Sequence, residues 1–270
     1  MHTNEAETLK NIVKEKYGVI AEQSLEQNKS LCCGSGDCCS SDFDVMTEDY
    51  STVKGYVRDA DLGLGCGIPT QFAHIRHGDT VVDLGSGAGN DCFVARSIVG
   101  ESGKVIGIDM TEMMIAKANA NKAKLGFTNI DFRLGDIEAI PIESNTADVI
   151  VSNCVLNLVP DKQKAFAEMF RVLKPGGHFT VSDIVLQGNL PEALQREAVM
   201  YVGCVAGAIQ KTEYLQLIRQ SGFQNVSVPK DREIVLPNQL LIQYLSLAEL
   251  RELKKTDFGI FSITVYGEKP

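Results

Sequence analysis

Cysteine is the residue type whose placement most suggests chemistry. Cys66 lies between glycines in Gly63-Leu64-Gly65-Cys66-Gly67-Ile68-Pro69, on backbone able to bend closely around a ligand. Cys154 ends the run Val149-Ile150-Val151-Ser152-Asn153, and Cys204 sits among the small residues Gly203, Val205, Ala206 and Gly207. Two vicinal pairs, Cys32-Cys33 and Cys38-Cys39, flank Gly34-Ser35-Gly36-Asp37, a stretch too small and glycine-rich to be core. With Cys92 the total is 8 cysteines. In a chain read as cytosolic, that number points to metal, metalloid or redox chemistry, or to small core residues, rather than to a disulfide framework. A structural zinc site would want a Cys-x2–4-Cys unit repeated in a second half, which is missing. Soft-ion capture or thiol exchange suits the paired cysteines better. Taken singly, Cys92, Cys154 and Cys204 each read as core. Beside Cys66, Cys154 reads instead as a site residue. His74 and His77 read as surface or capping residues.

A second constellation starts at Val81-Val82-Asp83-Leu84-Gly85-Ser86-Gly87-Ala88-Gly89-Asn90. A buried strand runs into glycines at alternate positions and then a helix start, the shape that takes a nucleotide-like cofactor at the carboxyl edge of an open α/β sheet. The turn is neither the dinucleotide fingerprint nor a P-loop. The next strand, Lys104 to Asp109, ends in an acid able to accept both ribose hydroxyls, and the third runs into Gly135-Asp136-Ile137, where an adenine ring could be held. Together these resemble the class I S-adenosylmethionine methyltransferases. The binding set that this implies is Asp83, Gly85, Ser86, Gly87, Gly89, Asp109, Met110, Asp136, Ile137 and Asn153.

The elements that must position these residues follow a βα rhythm. Strands are expected at Val81–Leu84, Lys104–Asp109, Ile130–Leu134, Ala147–Cys154 and His178–Asp183, with a last hairpin from Asn225–Val228 and Ile260–Tyr266. Helices are expected at Thr111–Leu125, with Thr111 as N-cap, at Pro160–Leu173 ended by Lys174-Pro175-Gly176-Gly177, and at Lys211–Ser221. A further helix is expected within Leu236–Lys255. Thr3 to Gln23 carries Leu9, Ile12, Val13 and Tyr17 at helical spacing, an amphipathic helix lying on the body. The fold class is α/β: a Rossmann-like seven-stranded class I methyltransferase sheet. An N-terminal cysteine-rich segment precedes it, and a helical insertion over Pro191–Ala208 follows strand five. Three segments are expected: 1–65 with the helix and cysteine-rich loop, 66–185 as the cofactor-binding core, and 186–270 as lid and C-terminal region.

Composition removes other classes. The 270 residues carry a net charge of −9 and no Trp, with 44% apolar and 23% charged residues. Nothing offers the clustered lysines, arginines and interleaved aromatics of a nucleic-acid surface. No apolar run reaches the roughly 18 residues of a membrane span. Residues 1–28 lack a leader's apolar stretch, so a cytoplasmic location is expected.

With Cys66, Cys154 and Cys204 in view, the chain resembles the arsenite S-adenosylmethionine methyltransferases. The residues that carry the likeness are Gly63 to Gly67, Asp83 to Cys92, Gly107 to Met110, Ser152 to Leu158 and Gly203 to Ala208. The resemblance implies methylation of trivalent arsenic for detoxification, with arsenic on Cys66, Cys154 and Cys204 and S-adenosylmethionine as methyl donor. It also implies that one of Cys32, Cys33, Cys38 and Cys39 delivers arsenic or forms a disulfide with Cys66. The partners implied are arsenite or its thiol conjugates and a thiol reductant such as glutathione or thioredoxin, with no nucleic acid and no membrane, for a monomer. The alternatives are a C- or O-methyltransferase of a quinone-like metabolite, in which the cysteines are packing, and a thiol-rich metalloid binder without catalysis.

Overall fold

Side chains alternate across a strand. In β1 (Thr80–Leu84), Val82 and Leu84 enter one apolar layer and Val81 the other, all fully buried. Two-sided burial is what a parallel sheet covered by helices on both faces demands. The structure, a computed structural model, describes residues 3–23, 28, 47–189, 207–235, 238–242 and 245–270. The paired cysteines between 32 and 39, Cys204 and most of the expected insertion lie outside the described residues.

The other strands are β2 (Lys104–Asp109), β3 (Ile130–Leu134), β4 (Ala147–Asn153), β5 (Leu173–Gln187), β6 (Gln224–Ile234) and β7 (Gly259–Glu268). They form one seven-stranded sheet in the order β3-β2-β1-β4-β5-β7-β6. Strand β7 runs antiparallel to both β5 and β6, and the remaining pairs are parallel. The expected seven-stranded α/β sheet is therefore present.

Helix α1 (Thr3–Glu22), α2 (Asn90–Val99) and α3 (Glu112–Leu125) cover the layer that holds Val81, Val105 and Val151. Helices α4 (Lys162–Val172) and α5 (Lys211–Gln220) cover the layer of Val82, Ile106 and Ile150, with Phe166 and Tyr214 as the largest inserted rings. Two short helices, α6 (Asn238–Leu241) and α7 (Leu247–Leu253), come before β7.

Local expectations differ from the fold in four places. Helix α1 buries Val13 and Ala21 but leaves Ile12 57% exposed, so its inward stripe is narrower than the periodicity suggested. The helix expected within Leu236–Lys255 is two pieces, the second started by a Ser246–Glu249 capping box. Thr111 takes the N-cap position of α3, yet its side chain makes no capping bond. Strand β5 begins before the Lys174-Pro175-Gly176-Gly177 turn, which bulges from the ladder where the β4 pairing shifts register between Ala147 and Val149.

Candidate functional site

The order of the strands reverses between β1 and β4, and beyond their carboxyl ends lies a cleft, as expected where an open α/β sheet switches direction. Gly85, Ser86, Gly87 and Ala88 of the glycine turn line it. The amides of Gly85 and Ser86 both donate to the Ile108 carbonyl, at 2.8 and 2.9 Å, which folds the turn back over β2. Gly85 has φ +72°, and a Cβ there would stand 2.3 Å from Val155, so the close pass of β1 under the loop after β4 needs glycine.

At the end of β2, Asp109 accepts from the Gly87 amide at 3.0 Å and the Thr111 amide at 2.8 Å. Burial raises its pKa, against the pull of those amides. Asp109, Met110, Asp136 and Ile137 all line the cleft, together with Gly85, Ser86 and Gly87. Ser86 and Asn90 line it too, and each carries a buried side-chain oxygen with no hydrogen-bond partner among the described residues.

Two residues of the expected cofactor set stand elsewhere. Asp83 is 2% exposed and is not in the cleft wall; its carboxylate accepts from the Cys92 thiol at 3.2 Å. Burial and the neighbouring Asp91 charge push the Asp83 pKa well up, and burial likewise raises the Cys92 thiol, which makes that sulfur a poor nucleophile. Gly89 packs under Phe132 and Phe93, behind the lining. Asn153 does line the cleft, but its side chain engages the Cys66 segment: Oδ1 accepts from the amides of Cys66 (3.1 Å) and Gly67 (3.3 Å).

Cys66 and Cys154 are 2% and 4% exposed and share one apolar cluster with Ile184, Ile234 and Ile260. Cys154 lines the cleft directly, whereas Cys66 stands behind Gly65, which does. The Cys154 backbone has φ +61°, strained for a residue with a Cβ, and its amide donates to the Ser182 carbonyl at 2.8 Å. Two sulfur-bearing residues 88 positions apart by number (154 − 66) thus belong to one buried apolar cluster, and one of them, Cys154, also lines the cleft. His74 and His77 are exposed and apart from it.

The comparisons with known proteins agree with this geometry. Residues 75–222 match a family model described as a methyltransferase domain. The arsenite methyltransferase of Aquipseudomonas alcaligenes is 33% identical over 240 residues, 86% of this chain and 67% of that protein. The chain belongs to the arsenite methyltransferase family. Another family member, from Halobacterium salinarum, is 41% identical over 239 residues, covering 83% of this chain and 60% of that protein. The chain thus spans less than two thirds of that relative's length. The crystal structure of an arsenic(III) S-adenosylmethionine methyltransferase from Chlamydomonas reinhardtii superposes with TM-score 0.62 at 35% identity, over 75% of this chain and 66% of that one.

Sequence reasoning missed several contributors to the cleft. Lys10 and Tyr17 come from α1, and Tyr50 from the segment before β1. Helical spacing puts Tyr17 on the inward stripe of α1, but nothing in the sequence ties Lys10, Tyr17 or Tyr50 to a site. Asp91, which reads in the sequence only as part of a helix start, lies in the first turn of α2 and lines the cleft. Burial pushes its carboxyl up to about 6, with hydrogen bonds from Asn153 and Tyr50 holding it down.

Proposed function

We propose that this protein transfers a methyl group from S-adenosylmethionine to trivalent arsenic held by cysteine sulfurs. One observation supports the reading above all. Cys66 and Cys154 converge in a buried apolar cluster, and Cys154 shares its cleft with the glycine turn and Asp109.

The cleft fits the cofactor. Asp109, already oriented by two backbone amides, would accept the ribose hydroxyls. Met110 and Ile137 would face the adenine ring, with Asp136 at its rim. The partnerless oxygens of Ser86 and Asn90 would gain partners from its polar groups, as buried polar atoms require. When bound, the cofactor supplies a methyl group on a positively charged sulfur.

Trivalent arsenic is soft and pyramidal, and soft ions select thiolates. As substrate, arsenite would exchange its hydroxyls for the sulfurs of Cys66, Cys154 and Cys204, with loss of water. Sulfur donation enriches the arsenic lone pair, which is the nucleophile and carries no proton, so no general base is needed. The chain's own work is placement: Ile184, Ile234 and Ile260 exclude water around the sulfurs, and holding reactants in line contributes roughly 7–11 kcal/mol. One of Cys32, Cys33, Cys38 and Cys39 would deliver arsenic, or would close a disulfide with Cys66 whose two electrons return the methylated arsenic from the pentavalent to the trivalent state; a reductant such as glutathione or thioredoxin would then reopen that disulfide. Residues 1–65 then make up the N-terminal helix and cysteine-rich segment, 66–185 the cofactor core and 186–270 the arsenic-site lid and C-terminal region, in a cytoplasmic monomer. No helix among the described residues is long and apolar enough to cross a membrane.

The test is incubation with arsenite, labelled S-adenosylmethionine and reductant, followed by speciation of the arsenic. Methylated arsenic is expected. Cys154→Ser and Cys204→Ser should lose product while binding the cofactor. Full turnover by both variants would overturn the three-thiol site.

A further inference from the structure

We infer that Asn153, Tyr50 and Asp91 form a positioning device that holds the Cys66 segment against Cys154. The inference rests on the proposed thiol site. It assigns to Asn153 a task different from contacting the cofactor, and gives roles to two residues that have none in the transfer chemistry.

The geometry is a closed hydrogen-bond knot. Asn153 ends β4, immediately before Cys154. Its Oδ1 accepts from the Cys66 and Gly67 amides at 3.1 and 3.3 Å, and the Cys66 sulfur lies 3.9 Å from the same oxygen. Its Nδ2 donates toward the Gly67 carbonyl and the Tyr50 hydroxyl, both at 2.8 Å, and toward Asp91 Oδ2 at 3.2 Å. The Tyr50 hydroxyl, 2.9 and 3.0 Å from the two Asp91 oxygens and 3.0 Å from the Gly67 carbonyl, donates into the same group. One carboxamide thus binds the backbone on both sides of the Cys66–Gly67 peptide and is itself oriented by Tyr50 and Asp91. Because the next residue is Cys154, the side chain that fixes Cys66 is covalently adjacent to the second sulfur.

The surrounding packing has the same purpose. A Cβ on Gly65 would lie 2.5 Å from Asn153 Nδ2, and one on Gly67 would lie 2.5 Å from Ser182 Oγ. Neither glycine has a positive φ. They are glycine because the strand of chain bearing Cys66 is threaded between Asn153 and Ser182 with no room for a side chain. Ser262 completes the clamp, donating to the Cys66 carbonyl at 2.6 Å. Tyr50 and Asp91 also line the cleft, so the knot touches both the cofactor space and the sulfur pair.

The test reads Cys66 itself. Reduced protein is treated with iodoacetamide, and labelling of Cys66 and Cys92 is followed in time by mass spectrometry. Cys92, fully buried and bonded to Asp83, reports on the integrity of the core. Tyr50→Phe keeps the ring and loses the hydroxyl; Asn153→Ala removes the knot. Tyr50→Phe should speed Cys66 labelling about tenfold, the effect of losing a buried hydrogen bond of ordinary strength, and Asn153→Ala, which removes every bond of the carboxamide, at least as much, while Cys92 keeps its wild-type rate. Affinity for S-adenosylmethionine, measured by calorimetry, should change less than the labelling does. Three outcomes would overturn the inference. Cys66 labelling could stay unchanged in both variants, Cys92 could rise in step with Cys66 in both, or cofactor affinity could fall while Cys66 stays protected. The experiment contains no arsenic, so its result stands apart from that of the methylation assay.

Discussion

Lys10 lies 2.5 Å from Asp136 Oδ2 and 2.5 Å from Glu138 Oε2, tying α1 to the loop after β3. Burial pulls the lysine pKa down, but the two carboxylates outweigh it and the net shift is upward. Lys10, Val13 and Tyr17 bring one side of α1 into the cleft wall. Asp136, assigned from sequence to the adenine, is therefore also the anchor of a helix. Lys10→Met keeps the stem and removes the charge, leaving Glu138 buried with one partner fewer. Cofactor affinity by calorimetry should fall about three- to tenfold, equivalent to the ~1 kcal/mol of a typical hydrogen bond. Unchanged affinity would separate α1 from cofactor binding.

Asp109 is oriented by two amides from either side of its strand end. Asp109→Asn turns one carboxylate oxygen into an NH2 facing an N–H. Cofactor affinity should drop about ten- to a hundredfold, since hydrogen bonds to a charged group contribute roughly 1.5–3 kcal/mol. Binding of trivalent arsenicals, followed by fluorescence quenching or mass spectrometry, should persist, because Asp109 has no place in the apolar cluster of Cys66 and Cys154.

Gly65→Ala would drive a methyl into the Asn153 carboxamide, which cannot yield without releasing Cys66. Overpacking of this kind costs about 1–3 kcal/mol. The urea midpoint should fall, and methylation should fall further than stability alone explains. An alanine variant with wild-type turnover would show that the threading is slack.

Asp183, fully buried on β5, accepts from the Tyr214 hydroxyl at 3.1 Å. Burial pushes its carboxyl up to about 7, against the Tyr214 bond and the charge of Lys162. Unfolded aspartate titrates near about 3.9. The folded state therefore holds this proton more tightly, so the contribution is fully present below about pH 4 and is lost as pH rises toward 7. Asp183→Asn removes that dependence. Between pH 5 and 8, urea unfolding of the wild type should lose about 2 kcal/mol more than that of the variant. Equal slopes in the two proteins would assign the proton elsewhere.

Gly85, Ser86, Gly87, Asp109, Met110, Asp136 and Ile137, all named from sequence, line the cleft, and they were legible because their signal is local. Strand, glycine turn and helix start occupy one short run, and Asp109 and Asp136 each follow a strand whose register is set by hydrophobic pattern. Position in a motif does not say which way a side chain turns: Asp83 faces Cys92, Gly89 lies beneath two aromatic rings, and neither lines the cleft.

By itself the sequence determined the α/β class, the parallel strands and the glycine turn. These follow from short-range steric and hydrophobic rules. Only the tertiary structure decided that Cys66 and Cys154 share a buried apolar cluster, that Tyr50 reaches Asn153 across 103 positions, and that Lys10 closes on Asp136 from 126 away. Such partners are chosen by how layers pack and where segments thread between them, and a residue's neighbours along the chain carry no record of that choice.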